Sequence, residues 1–150
     1  MTTMETIRDF FAQEKLAIIG VSTSGRKFGN TVYRELKRKG YEVFAVNPRA
    51  KEIQGEACWP SLRDLPTRPD GVVLVVPPAE TEKVVHEVAE AGIKRVWIQQ
   101  GAESKQAVDF CRTHDIQVVA GECIMMFAEP VGTLHRVHRF FKGVVGSLPR

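Results

Sequence analysis

Apolar positions along the chain alternate between short unbroken runs and stretches with helical spacing. The runs predict strands at about 16–21, at Tyr41 to Val46, at Val72 to Val76, at Arg95 to Gln99 and at Ile116 to Ala120. Val72 to Val76 carries five aliphatic residues without alternation, as expected of a strand covered on both faces. Between the strands, apolar residues recur at helical intervals. Phe28, Val32 and Leu36 mark a helix at about 28–39. Val84, Val85, Val88 and Ala91 mark one at about 80–91, and a further helix is predicted at about 103–113. Lys37-Arg38-Lys39 followed by Gly40 suits a helix C-terminus, and Gly92 closes the next helix. Ahead of the first strand, Thr2-Thr3-Met4-Glu5 reads as a capping box opening a helix with Met4, Ile7, Phe10 and Phe11 on one side. Residues 49–69 are less regular, interrupted by Pro60, Pro66 and Pro69.

Five strands alternating with helices over short connections predict an α/β fold: a Rossmann-like, doubly wound, parallel five-stranded sheet in a single domain spanning 1–150. Within it, 1–15 is the N-terminal helix, 16–125 the core and 126–150 a C-terminal amphipathic extension. Right-handed crossovers would gather Gly20–Gly29, Asn47–Lys51, Pro77–Ala79 and Gln99–Gly101 along one sheet edge.

Composition narrows the function. The chain has 150 residues, 43% hydrophobic and 26% charged, which is ordinary for a globular domain. No apolar run approaches a membrane span, and the first residues lack a signal-peptide core, so neither membrane nor export is expected. Cys58, Cys111 and Cys123 are widely spaced and read as reduced thiols in a cytoplasmic protein, with no metal site. A net charge of +3 is too small to point to nucleic acid.

The chemistry concentrates in the first loop. Leu16 to Ile19 stops at Gly20; small residues and two cations follow, and then the helix begins. Glycine lets a ligand approach the backbone, and a helix N-terminus favours an anion, so this loop suits a diphosphate. The dinucleotide fingerprint is incomplete: Ser22 replaces the second glycine, and strand two ends in Asn47 instead of an acidic residue. Arg26, Lys27, Arg49 and Lys51 suit an additional phosphate, as in NADP or coenzyme A. The bland alternative is a Gly/Ser loop that merely turns the chain.

Taken in order, several segments resemble the CoA-binding domain family, which includes the N-terminal domain of the succinyl-CoA synthetase alpha subunit and small stand-alone CoA-binding proteins. They are Ile18 to Ser22, Gly40 to Pro48, Ile53-Gln54-Gly55 leading to Pro60-Ser61-Leu62, and Val75 to Pro78. Ala91 to Lys94, Trp97 to Gly101 and Glu122-Cys123-Ile124 complete the set. The resemblance implies that Gly20, Val21 and Ser22 with the following loop hold the diphosphate; Gly29, ahead of the helical stretch, is expected where strand, helix and ligand approach closely. It places Asn47, Pro48, Arg49 and Lys51 near the ribose phosphate, Val76, Pro77 and Pro78 beside the adenine, and Gln100 and Gly101 near the pantetheine. The implied role is a CoA- or acyl-CoA-binding module without catalysis of its own. The alternative is an NADP-type nucleotide-binding domain of an oxidoreductase system.

The family's small members stop soon after the Cys-Ile segment, whereas this chain continues to Arg150. Leu134, Val137, Phe140 and Phe141 repeat at helical spacing there, among Arg136, Arg139 and Lys142. Such a helix can cover its own sheet, form a homodimer contact or lie on a membrane surface. Of the four histidines, His86 and His114 are expected at the surface, and neither has an evident catalytic partner. The phosphorylated histidine of the synthetase lies in a domain outside the resemblance. Cys123 is expected near the ligand edge, where a thiol can form a mixed disulfide with CoA or simply sit half-buried in a turn.

Overall fold

The computed structural model describes residues 2–128. The elements follow the order α1 (Met4–Phe11), β1 (Lys15–Ile19), α2 (Phe28–Arg38), β2 (Glu42–Val46), β3 (Glu52–Ile53) and β4 (Glu56–Trp59), then β5 (Gly71–Leu74), α3 (Pro78–Glu90), β6 (Arg95–Gln99), α4 (Lys105–Thr113) and β7 (Gln117–Glu122). Single 3-10 turns occur at Leu62–Asp64 and Ile124–Met126. The amphipathic stretch from Val131, and with it a dimer through that helix, lies outside the described residues.

The sheet is Rossmann-like, with strand order β3-β4-β2-β1-β5-β6-β7. All neighbouring pairs are parallel except β3 and β4. It has seven strands, not the five expected. The five expected strands are present as β2, β1, β5, β6 and β7. The two extra ones form a hairpin within 49–69, where Gln54 (φ 52) and Gly55 (φ 83) make the turn. Strands of two and four residues are too short to reveal a period, so this segment carried no strand signal.

Two apolar layers sandwich the sheet. On one face Ile7, Phe10 and Phe11 of α1 and Val32 and Leu36 of α2 pack on Leu16, Ile18, Val73 and Trp97. On the other, Val84, Val85 and Val88 of α3 and Ala107 and Cys111 of α4 pack on Ala17, Val72, Leu74 and Ile98. Alternate residues of β1 and β5 serve opposite layers, which is why both strands read as unbroken apolar runs. Trp97 centres the first layer, with ring centroids 5.5 Å from Phe10 and 5.3 Å from Phe11.

Two local expectations shift. The capping box begins one residue later than read: Thr3 Oγ1 accepts from the Thr6 amide (3.1 Å) and Thr6 Oγ1 accepts from the Thr3 amide (2.9 Å). Thr2 instead closes the β7 edge, accepting from the Ala120 amide and donating to its carbonyl. Phe28, expected on the buried stripe of α2, is 42% exposed because the helix starts there, at the rim of the sheet.

Candidate functional site

The chain reverses its winding direction between β1 and β5: the path from β1 runs outward to β2 and that from β5 outward to β6 and β7. Because these strands are parallel, the loops that follow β1, β2, β5 and β6 share one edge, and the crevice opens between β1 and β5.

Two glycines make that crevice close-packed. Gly20 has φ +122, and a Cβ there would sit 2.2 Å from the Val75 carbonyl oxygen. A Cβ on Gly29 would sit 2.3 Å from the Gly20 carbonyl oxygen. Strand end, neighbouring strand end and helix N-terminus therefore touch backbone to backbone, with no room for a methyl group. No side chain caps α2 at its N-terminus, where Lys27 is the N-cap, unlike α4, whose Ser104 accepts from the Ala107 amide. The Asn30 amide donates to the Lys27 carbonyl (3.0 Å), and the Phe28 and Gly29 amides ahead of it, with no side-chain cap, are the ones placed to meet an anion.

The loop is held in shape by side chains, of which Asn30 and Arg34 were not singled out in the sequence. Asn30, 2% exposed, accepts from the Ser22 amide and donates to the Ser22 carbonyl, both at 2.9 Å. Arg34 Nη1 donates to the Gly25 carbonyl (3.2 Å), and the Gln54 side chain packs where a Gly25 Cβ would be. Ser22 Oγ lies 3.0 Å from Ser24 Oγ and accepts from the Ser24 amide. The available signal was a buried-face asparagine in the first turn of an otherwise amphipathic helix.

Asn47 ties the second loop to the first. Its Nδ2 donates to the Val21 carbonyl (2.8 Å), and its Oδ1 accepts from the Arg49 amide (2.8 Å). An aspartate would lack the donor and repel that carbonyl, so the missing carboxylate has a structural counterpart. Pro48, Arg49 and Lys51 are exposed beyond it, and Arg26 and Lys27 are exposed on the first loop. Val76 is half-buried and Pro77 and Pro78 are exposed at the start of α3. Gln100 and Gly101 are exposed after β6, where the Gly101 amide donates to Glu103 Oε2 (2.8 Å). All fifteen expected residues thus belong to the loops at one edge or to the helix start behind it.

Cys123 is half-buried beside this edge: the Ile124 amide donates to Gln99 Oε1 (2.9 Å) and the Gln100 amide to the Glu122 carbonyl (3.2 Å). Cys58 and Cys111 are buried, and burial pushes the Cys111 thiol up to about 11. His86 and His114 are exposed on the α3/α4 side, with ring centroids 4.0 and 3.9 Å from Phe110. Among the described residues no group of three or more His, Cys, Asp or Glu could hold a metal ion, and no helix is long and apolar enough to cross a membrane.

Two cavities of about 390 Å³ flank the sheet. One lies between the Leu62–Asp64 turn and the end of α3, and no loop residue of the crevice lines it. The other runs beside α2, beneath Val21.

A sequence profile described as a CoA binding domain matches residues 14–129. An acetate–CoA ligase [ADP-forming] I of Archaeoglobus fulgidus is 30% identical over 126 residues, covering 77% of this chain and 18% of the ligase. The chain therefore spans under a fifth of that relative's length. Among solved structures, a conserved hypothetical protein from Pyrococcus furiosus is 41% identical with a TM-score of 0.71, covering 75% of this chain and 97% of that one. A hypothetical protein from Pyrococcus horikoshii is 32% identical with a TM-score of 0.78, covering 83% and 89%.

Proposed function

The chain belongs to the CoA-binding domain family, and on that footing we propose that it binds coenzyme A or an acyl-CoA at the crevice between β1 and β5 as a non-catalytic binding or regulatory module. One observation carries this reading: Gly20 and Gly29 bring the first-turn amides of α2 against the sheet edge with no side chain between. A diphosphate seated there accepts from those amides. Arg26 and Lys27 on one side and Arg49 and Lys51 on the other supply charge for the 3′-phosphate. Val76, Pro77 and Pro78 border the adenine, and Gln100 and Gly101 lie toward the pantetheine. The three free cysteines suit a reducing, cytoplasmic setting. Among the described residues, the two histidines, His86 and His114, lie against the Phe110 ring on the α3/α4 side.

Calorimetry with CoA, dephospho-CoA, NADP and NAD at one salt concentration tests the proposal. CoA binds tightest. Loss of the 3′-phosphate removes charge-assisted hydrogen bonds worth about 1.5–3 kcal/mol each, so dephospho-CoA binds about tenfold more weakly or worse. NAD binds weakly or not at all. NADP binding tighter than CoA would replace this reading with the oxidoreductase alternative.

A further inference from the structure

We propose that the groove between α2 and the β3–β4 hairpin is a second binding pocket, one for a small organic anion with a flat apolar body, and that it is coupled to the first loop through Arg34. The groove holds about 390 Å³, room for an aromatic ring with its acidic substituent. Val21, Ala45 and Ile53, each at most 5% exposed, form only its floor. Tyr33 adds a half-buried ring, and burial raises its phenol above the ordinary tyrosine value.

The charge around the groove is one-sided. Arg34, Lys37 and Arg38 line it with a single carboxylate, Glu56. Lys37 pairs with Glu56 across the groove, and Arg38 pairs with Glu35 on its own helix. The Lys37 ammonium also lies 5.9 Å from the Tyr33 ring centroid. An incoming carboxylate or phosphate finds Lys37 held by a surface ion pair, which is cheap to exchange in water. Its ring then lies along Tyr33 and Ile53, away from solvent.

Coupling follows from Arg34. Arg34, which lines the groove, donates through Nη1 to the Gly25 carbonyl (3.2 Å), and Gln54, which also lines it, packs against Gly25. An anion that draws Arg34 inward releases Gly25, so groove and loop exchange free energy in both directions.

Amide-resolved NMR titration of the CoA-free protein with benzoate, phenyl phosphate, inorganic phosphate and benzyl alcohol decides the matter. Benzoate and phenyl phosphate shift the Tyr33, Ile53 and Gly25 amides saturably below roughly 20 mM, where a millimolar binder is filled. Whichever is tighter identifies the preferred acid group, while inorganic phosphate and benzyl alcohol lack half the recognition and bind more weakly. Lys37→Gln weakens the aromatic anions by about three- to tenfold. Glu56→Gln frees Lys37 and tightens them, a gain that misfolding cannot imitate. The proposal falls if those amides do not saturate, if the two substitutions move affinity the same way or leave it unchanged, or if Gly25 stays fixed while Tyr33 responds. None of these readings uses CoA, so failure of CoA to bind at the crevice is a separate result.

Discussion

Gly29 is the residue on which the crevice depends most directly. Its sequence position, just inside a helix, offers no reason for glycine, since glycine there costs helix stability relative to alanine. The reason is tertiary: the missing Cβ would overlap the Gly20 carbonyl at 2.3 Å, against backbone that has no rotamer to yield. Gly29→Ala therefore moves the helix start off the sheet edge. We expect about 1–3 kcal/mol of lost stability in urea unfolding, typical of overpacking, and a larger proportional loss of CoA affinity. A variant that melts like the parent and binds normally would mean that α2 can slide without affecting the crevice. Gly101 is the opposite case: its φ is +95, yet a Cβ there meets no protein atom within 4 Å, so within the fold it is the backbone conformation that favours glycine.

Among the elements, α2 and the first loop act as one unit because Asn30 bonds both the amide and the carbonyl of Ser22. Asn30→Asp keeps the acceptor but removes the donor and places a carboxylate under the loop that would hold a diphosphate. Stability should fall by about 1–3 kcal/mol, the cost of an unmatched buried polar contact. CoA affinity should fall further through repulsion between the carboxylate and the diphosphate, and because Asn30 is buried that extra loss should persist as salt is added. Equal losses for Asn30→Asp and Asn30→Ala would assign Asn30 to packing only. The β3–β4 hairpin is the other element with a role beyond its size, since its Gln54-Gly55 turn delivers Gln54 to Gly25.

For the molecule as a whole, alkaline pH tests how tightly the α3/α4 layer is sealed. Cys111 is fully buried in that layer, and desolvation holds its thiol at about 11 against an ordinary value of 9.0. A raised folded-state value leaves stability intact below the unfolded-state value; between the two the unfolded chain releases a proton that the native chain retains. Unfolding free energy from this group therefore falls as pH rises from about 9 to 11, by at most about 1.4 kcal/mol per pH unit. Cys111→Ala should flatten the fall relative to the parent in urea melts across that range. Matching slopes would show that the layer admits water to the thiol.

Hydrophobic runs and helical spacing determined the five central strands, the four helices that flank them and the sheet edge that collects the loops, because burial on both faces imposes a pattern on every residue of a strand. Gly20, Ser22 and the proline pair after β5 were legible for a similar reason: each breaks a run at a place where the chain must turn. The β3–β4 hairpin was not legible, since strands of two and four residues are too short to carry a period. Nor were the hydrogen bonds of Asn30, Asn47 and Arg34, which join residues of different elements and depend on how α2 settles against β1 and β2. A sequence records which residues avoid water; which polar atoms meet across the buried space is decided only when the layers pack and each donor must find an acceptor.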